Sequence, residues 1–360
     1  MNDQYYMKLA LDLAISTKGQ TTPNPSVGAV IVKNNQLVGL GAHLKAGEPH
    51  AEVHAIQMAG EKTKDATMYV TLEPCSHFGR TPPCSDLVIQ SGIKRVVIAS
   101  TDPNPRVSGK GIEKMRKAGL QVEIGLLKEE ADQINQVFDH YIQTGLPYVT
   151  LKTATSLDGK IATKEGKSKW ITSKEAREDV HYFRHTHDAI LVGVNTVLKD
   201  NPSLTTRMIG GGKNPTRIIL DTQLRTPIDS NIVTDLQSET LIVTGSEVNE
   251  ARVIPFKEKG ISILKMNSPS INIKDMLMEI GKRGISSIFV EGGAEIHGSF
   301  LKEHAFQQII TYIAPKLIGG RTAPSSFGGD GIAQIDDAIN LEISDIKRIG
   351  NDLRIMAIPI

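Results

Sequence analysis

His50-Ala51-Glu52, followed by Thr71-Leu72-Glu73-Pro74-Cys75 and a second cysteine at Cys84, is the stretch from which the rest of the chain is read. An imidazole and two thiolates are donors that zinc prefers. Zinc in a hydrolytic site takes three protein ligands and leaves a fourth position for water. His50, Cys75 and Cys84 supply three ligands. Glu52 stands two residues beyond His50, so it can lie beside the metal and carry protons without ligating it. If His50 opens a helix, Glu52 points into the same concavity. The metal would lower the pKa of a bound water toward about 7, with Glu52 as general acid and base. A purely structural zinc knot needs a fourth protein ligand, for which His54 and His77 are the candidates. His77 is better explained as a substrate contact, since it lies in the loop between the two cysteines.

Both cysteines of the chain belong to this pattern. That argues for zinc thiolates rather than a disulfide and fits a reducing compartment. The cytoplasm is the expected location. A chain of 360 residues is too long for one ordinary core and predicts two domains. With 41 basic and 40 acidic residues it has no global field for gripping a polyanion, so no nucleic-acid partner is expected. Asp3, Lys8 and Asp12 within Met1 to Ala14 do not suit a signal peptide. No run of about 18 apolar residues reads as a membrane span.

The periodicity is α/β throughout. Met7, Ala10, Leu11 and Ala14 fall at helical spacing. Val27 to Val32 and Leu37 to Ala42 flank Asn34-Asn35, a hairpin turn. Ala51 to Ala59 is helical, and Met68 to Leu72 is a strand that runs into Pro74-Cys75. Further strands are expected at Val96 to Ala99 and Val122 to Ile124, and the domain at 1–144 ends its core near His140. Gln143-Thr144-Gly145-Leu146-Pro147 reads as a linker. A second domain at 147–360 then opens on a strand at Tyr148 to Thr155. Its other strands are Ala189 to Val192, Arg217 to Leu220, Leu241 to Val243, Ser287 to Val290 and Ile309 to Ile313. Thr172-Ser173-Lys174-Glu175 reads as a capping box that opens a helix toward His185.

Unaided, the second half says less. No G-x-G-x-x-G follows a strand. Glu291-Gly292-Gly293-Ala294 after an apolar strand is either a phosphate-binding helix start or only a tight turn. Trp170, the one tryptophan, is either core or a wall beside a ring. Arg184 and Arg207 could hold a sugar phosphate, although a single arginine is more often solvated. Lys152, in an apolar strand, points to an active site or a buried pair. In the first half, Asn24 and Asn104 sit in Pro-rich loops at strand ends, where turn formation and ligand contact are equally good readings.

The H-x-E…P-C pattern is that of the zinc-dependent nucleobase deaminases, except that eight residues separate Cys75 from Cys84 instead of two. With that long insert, Ser76-His77-Phe78-Gly79-Arg80-Thr81-Pro82-Pro83, the chain resembles the bifunctional deaminase/reductase of riboflavin biosynthesis. Thr22-Pro23-Asn24-Pro25-Ser26-Val27-Gly28-Ala29-Val30 and Asp102-Pro103-Asn104-Pro105 carry the same resemblance. So do Leu151 to Lys160, Trp170-Ile171-Thr172-Ser173, Gly193 to Val197, Asp200 to Thr205 and Val290-Glu291-Gly292-Gly293. The resemblance implies a cytidine-deaminase-like α/β/α domain followed by a dihydrofolate-reductase-like α/β domain. The first would deaminate a diaminopyrimidinone ribosylamine 5′-phosphate with zinc. The second would reduce the ribosyl group to ribityl with NADPH. It also implies that Asn24, His43, His77, Asp102 and Asn104 line the deaminase pocket, with Arg80 near the phosphate. Ala154, Trp170, Thr196, Asp200 and the stretch Gly293, Ala294, Glu295, Ile296, His297, Gly298 and Ser299 correspond to cofactor contacts. Ser168, Arg184, Leu204, Arg207 and Glu291 correspond to substrate contacts, with Lys152 beside them. A homo-oligomer, dimer or tetramer, is the expected assembly. Two other readings compete: a nucleic-acid base deaminase with an accessory domain, and a C-terminal half that serves only for oligomerisation or ligand sensing.

Overall fold

The computed structural model describes residues 2–78, 82–104 and 108–360. They divide into two compact units, one ending at Gly145 and the other spanning Leu146–Ile360.

The first unit opens with α1 (Asp3–Ser16), whose Asn2 cap accepts from the Tyr5 N–H. Strands β1 (Gly28–Lys33) and β2 (Gln36–Ala42) form a hairpin. Asn34 and Asn35 make its two-residue turn with φ of 52° and 60°, as a type I′ turn requires. Then come α2 (Ala51–Ala59), β3 (Thr67–Leu72), α3 (Cys84–Gln90), β4 (Arg95–Ser100), α4 (Lys110–Lys117), β5 (Gln121–Ile124) and α5 (Lys128–Thr144). The sheet order is β2-β1-β3-β4-β5, with β1 antiparallel to both neighbours and β3, β4 and β5 parallel. Alternation along β1 sends Ala29 and Ile31 to a core shared with α2, α3 and α4, and Val30 and Val32 to a core shared with α1 and α5. The result is the expected α/β/α layering. The ends of β3 and β4 release the chain at Glu73 and Thr101, the edge at which parallel sheets offer ligand sites.

Two glycines bring α2 onto the sheet. A Cβ on Gly41 would lie 2.0 Å from the Ala51 carbonyl oxygen and 2.7 Å from the Ala55 nitrogen; one on Gly39 would lie 2.3 Å from the Ala55 oxygen. Only bare backbone fits beneath the helix, and this close seat sets where the helix begins, at His50.

The last helix of the unit runs into the expected linker. Helix α5 continues through Gln143 and Thr144 and stops at Gly145, which takes φ 72° and donates its N–H to the Tyr141 carbonyl. Nothing before Gly145 breaks the helix, and a left-handed glycine after the last turn is a standard stop. The expected linker is therefore helix over its first two residues.

The second unit runs β6 (Tyr148–Ser156), α6 (Lys174–Thr186), β7 (Ala189–Gly193), α7 (Val194–Asp200), β8 (Thr216–Leu220), α8 (Asn231–Thr234), β9 (Thr240–Thr244), α9 (Glu250–Glu258), β10 (Ser262–Lys265), α10 (Ile273–Lys282), β11 (Ser287–Gly292), α11 (Ala294–Lys302), β12 (Gln308–Ala314), β13 (Leu341–Ile349) and β14 (Asp352–Pro359). Its nine-stranded sheet is ordered β10-β9-β8-β7-β11-β6-β12-β14-β13. The strands are parallel from β10 to β12, and β14 and β13 close the edge antiparallel. The expected strands form. The sequence reading missed β10, which is only four residues long, and the β13–β14 hairpin. Strand β13 is exposed at the sheet edge and carries Glu342, Asp345, Lys347 and Arg348, so it has no apolar run to announce it. The start of α6 also differs. Its cap is Ser173, whose hydroxyl accepts from the Ala176 N–H at 3.2 Å. The expected Thr172–Glu175 box is displaced by one residue.

Gly41→Ala tests the seat of α2. Overpacking of a closed contact costs about 1–3 kcal/mol. The variant is expected to melt at lower temperature and to hold zinc less tightly in a chelator competition, with reductase activity unchanged.

Candidate active sites

In the first unit, helix starts deliver the ligands. His50 caps α2 with extended backbone, and Cys84 is the first residue of α3. The His50 Nδ1 lies 3.3 Å from Cys84 Sγ and 3.7 Å from Cys75 Sγ. The Cys84 N–H donates to Cys75 Sγ at 3.3 Å. All three ligand atoms fall within 4.8 Å of one another. A tetrahedral zinc with ordinary bond lengths needs nitrogen-to-sulfur edges of roughly 3.5 Å, so the cluster fits that ion. Among the described residues neither His54 nor His77 joins the group, which removes the four-ligand structural knot. The Cys84 thiol hydrogen bond, with His50 behind it, holds the Cys75 thiol well down, at about 4, while the Cys84 thiol is pushed up as its donor. A bound divalent cation would favour both thiolates outright.

Glu52 is buried on the first turn of α2. Burial raises its carboxyl to about 7 against the opposing charge of His50. That is the range in which a carboxyl can both accept and return a proton near neutrality. Beside it, His43 is held at both nitrogens. Its Nδ1 lies 3.2 Å from the Pro49 carbonyl and its Nε2 3.0 Å from Asn24 Nδ2. A donor at Nδ1 and an acceptor at Nε2 satisfy both contacts with a neutral ring, and burial lowers its pKa in the same sense. The ring meets His50 edge-on at 5.1 Å.

Asp102, just past β4, accepts from the Asn104 N–H at 2.8 Å. Burial pushes its carboxyl up to about 6. His77 is exposed on the loop after Cys75. Arg80, like Gly79, Thr81 and Pro105, lies outside the described residues.

Two supporting residues escaped the sequence reading. The buried Glu73 carboxylate accepts from the N–H groups of Gly111 and Gly109, both at 2.9 Å, with Ile112 at 3.3 Å and Asp102 at 3.4 Å. It ties the start of α4 to the loops that carry Cys75 and Asp102. Asn135 of α5 pairs with both backbone groups of Ser26, at 2.9 and 3.1 Å, and so holds the Asn24 loop. A carboxylate immediately before Pro74-Cys75 was the available signal for Glu73. Nothing local marks Asn135.

In the second unit, Lys152 in the middle of β6, Glu291 near the end of β11 and Arg184 on α6 come together. Arg184 grips Glu291 with two hydrogen bonds, Nε to Oε1 at 2.5 Å and Nη2 to Oε2 at 3.0 Å. Its Nη1 donates to the Thr205 carbonyl at 2.9 Å. Burial opposes the Glu291 charge, yet Arg184 and Lys152 hold its carboxyl down at about 2. Burial in turn lowers the Lys152 pKa. Arg184 is thus largely spent on Glu291 and Thr205, and Arg207, exposed next to buried Leu204, is the freer cation. The Arg207 N–H donates to His181 Nδ1 at 3.3 Å. Ser168 is exposed.

Around them lie the residues compared with cofactor contacts. Trp170 is 62% exposed, not core, and its ring stacks under the Arg177 guanidinium at 4.3 Å. Ala154 is half-buried on β6. Thr196 is half-buried on α7, and Asp200 pairs with Lys169 at 3.1 Å. The two glycines after Glu291 differ. A Cβ on Gly292 would strike His297 Nε2 at 2.7 Å, whereas one on Gly293 meets nothing within 4 Å. Gly293 therefore fronts open space at the start of α11, which has no side-chain cap. That is a cradle suited to a phosphate group, and it fits a dinucleotide. Ala294 and Glu295 form the first turn beside it. The rest of the stretch turns away. Ile296 packs on the core and against Gly193. The His297 ring is buried between the Ser326 and Val290 carbonyls, at 3.1 and 3.3 Å. Gly298 abuts the Gly328 backbone, and the Ser299 hydroxyl donates to its own helix at Glu295.

Comparison with known proteins matches both halves of the chain to family models. Residues 1–100 match the model of the cytidine and deoxycytidylate deaminase zinc-binding region, and residues 147–355 match that of the RibD C-terminal domain. The class is a zinc-dependent hydrolytic deaminase joined to an NADPH-dependent reductase of dihydrofolate-reductase-like fold. Riboflavin biosynthesis protein RibD of Bacillus amyloliquefaciens is 50% identical over 357 residues, covering 99% of this chain and 96% of that protein. RibD of Escherichia coli K12 is 41% identical over 366 residues, 98% of each. The solved structure of Acinetobacter baumannii RibD, form 1, superposes with a TM-score of 0.89 at 38% identity over 99% of both chains. The Thermotoga maritima diaminohydroxyphosphoribosylaminopyrimidine deaminase/5-amino-6-(5-phosphoribosylamino)uracil reductase gives 0.88 at 36% identity, over 99% of this chain and 98% of that one. The chain belongs to the RibD family, the bifunctional deaminase/reductases of riboflavin biosynthesis.

Glu73→Gln tests the brace behind the zinc loop. An amide cannot accept at both positions, so buried N–H groups lose a charged partner, at a cost of about 2–3 kcal/mol. A lowered melting temperature and faster loss of zinc to a chelator are expected, with Glu52 and all three ligands intact.

Proposed function

We propose that residues 1–144 carry out zinc-dependent hydrolytic deamination of 2,5-diamino-6-(5-phosphoribosylamino)pyrimidin-4-one. Residues 147–360 then reduce the ribosyl side chain with NADPH to give 5-amino-6-(5-phosphoribitylamino)uracil. The observation that carries this reading is the convergence of His50, Cys75 and Cys84 beside a buried carboxyl at Glu52. Zinc held there supplies a Lewis acid that acidifies water. Glu52 would take one proton from the attacking water and pass it to the substrate's ring nitrogen, then carry the proton of the added hydroxyl to the departing amine, which leaves as ammonia. Neutral His43 and the Asn24 amide orient the pyrimidine. Asp102, Asn104 and His77 line the rest of the pocket.

In the reductase, Gly293 to Glu295 at the start of α11 would hold the cofactor's phosphates, Trp170, Thr196, Asp200 and Ala154 would border it, and the cofactor would supply the hydride. Ser168, Leu204 and Arg207 hold the substrate, while Arg184 orients Glu291 toward the sugar and Lys152 donates to it. Hydride transfer needs little from the protein beyond this positioning.

Two statements about context belong to the same proposal. The enzyme works in the cytoplasm, where its free thiols stay reduced. Among the described residues no helix is long and apolar enough to cross a membrane. It assembles as a homo-oligomer, dimer or tetramer. Strand β13 leaves Leu341, Ile343 and Ile346 exposed on a sheet edge, a feature that proteins usually cover.

Two paired variants test the deaminase. Cys75→Ser is expected to lose zinc and ammonia release while NADPH oxidation with the deaminated intermediate continues. Glu52→Gln is expected to keep zinc and to deaminate about 10²–10⁴-fold more slowly. Metal analysis and ammonia release on both variants check this. Gly293→Val probes the reductase. Its side chain would fill the cradle and raise the KM for NADPH at least about tenfold, a loss of roughly 1.4 kcal/mol, with deamination unaffected.

A further inference from the structure

The second unit carries a buried network that the reading above does not use. Tyr312 of β12 is 1% exposed. Its hydroxyl donates to Asp179 Oδ2 of α6 at 2.6 Å. Arg354 of β14 clamps the same carboxylate through Nη1, 3.2 Å from Oδ1 and 3.0 Å from Oδ2, and reaches Asp345 through Nη2 at 2.9 Å. The phenol is thus fixed at its far end by an ion pair that spans helix and sheet. Its face is turned to the reductase site: the Lys152 ammonium sits over the ring, 6.0 Å from its centroid. The register explains this. Lys152 is paired with Ile310 and Ala154 with Tyr312, so the lysine and the tyrosine are diagonal neighbours on one face of the sheet. Among the described residues the Lys152 ammonium has no hydrogen-bond acceptor. The groups that act on it are the Glu291 carboxylate, the Arg184 guanidinium, the face of Tyr312 and, more remotely, His297.

We propose that Tyr312 is a positioning residue for reduction: its ring, locked beneath α6 by Asp179 and Arg354, holds the Lys152 ammonium at the substrate. A cation over an aromatic face is attracted by the ring quadrupole, more strongly where water is excluded. The ring thereby does two things. It keeps the long lysine side chain from swinging away, and it favours the charged form that burial disfavours. The inference rests on the proposed reductase site, in which Lys152 touches substrate.

The test uses the zinc-loaded full-length enzyme, with NADPH and the deaminated intermediate, assayed from pH 6 to 10. Tyr312→Phe keeps the face and loses the anchor. Tyr312→Met keeps volume and loses the face. The groups facing Lys152 are Glu291, Arg184 and, more remotely, buried His297; none of them changes in these variants. Loss of the face is expected to move the alkaline limb of kcat down by roughly 0.5–1 pH unit and to lower kcat about tenfold. The KM for NADPH should stay within about twofold. Tyr312→Phe should leave the limb in place. Identical limbs in the Met variant and the wild type would overturn the proposal and leave the network as a clamp that only docks α6. Where Tyr312→Met fails to fold, Tyr312→Leu serves instead: it too loses the face and should move the alkaline limb down, and an unmoved limb in it would overturn the proposal equally. Lys152→Ala is the control. If it alone keeps full reductase activity, the site reading fails; if it is inactive while Tyr312→Met matches wild type, only the inference fails.

Discussion

The first unit is organised by two helix starts that meet at one point. The amino ends of α2 and α3 both carry partial positive charge, and His50 and Cys84 stand at those ends. Bringing two such ends together is unfavourable unless negative charge lies between them. Thiolates at Cys75 and Cys84 supply it, and a cation held by them stays close to neutral overall. The geometry also demands thin partners beneath the helix, which Gly39 and Gly41 provide. Glu73 repeats the logic one layer out, with its carboxylate under the start of α4. The ligand loops are thus pinned from behind by backbone N–H groups.

The second unit relies on α6 in the same way. Along that one helix, Arg177 covers Trp170, Asp179 holds Tyr312 and Arg354, His181 accepts from the Arg207 N–H, and Arg184 grips Glu291. Buried ion pairs of this kind contribute little net stability against an apolar alternative. Their value is orientation. Glu291 stays ionised at low exposure because Arg184 and Lys152 surround it, so a fixed negative charge stands where the sugar is proposed to lie. The loop after β11 then divides its labour between two adjacent glycines: Gly292 makes room for the buried His297, and Gly293 leaves space for a ligand.

Much of this was legible in the chain. The hairpin at Asn34-Asn35, the helix at Ala51–Ala59 and the strand before Pro74-Cys75 follow from local rules: a turn that needs positive φ, a helical period and a short β-rich run. The zinc ligands were legible because few side chains suit that ion, and because the acid beside the histidine has a chemical reason to be there. The linker was drawn two residues early, since α5 keeps its backbone hydrogen bonds until the left-handed Gly145. Strand β13 was missed since charges interrupt its apolar residues, which stay exposed at the sheet edge.

By itself, then, the sequence determined the metal chemistry, the α/β class, most of the strands and, through its long insert between the cysteines, the family. Those features depend on residue type and short spacing, which a linear text preserves. The tertiary structure alone decided which groups act and which support. Glu73 and Asn135 hold loops from far along the chain, His297 is folded inward, Trp170 stands exposed under Arg177, and Arg184 is committed to Glu291. Apart from the Trp170–Arg177 stack, these roles come from burial and from partners far along the chain, so they exist only once the sheet has brought those partners within hydrogen-bond reach.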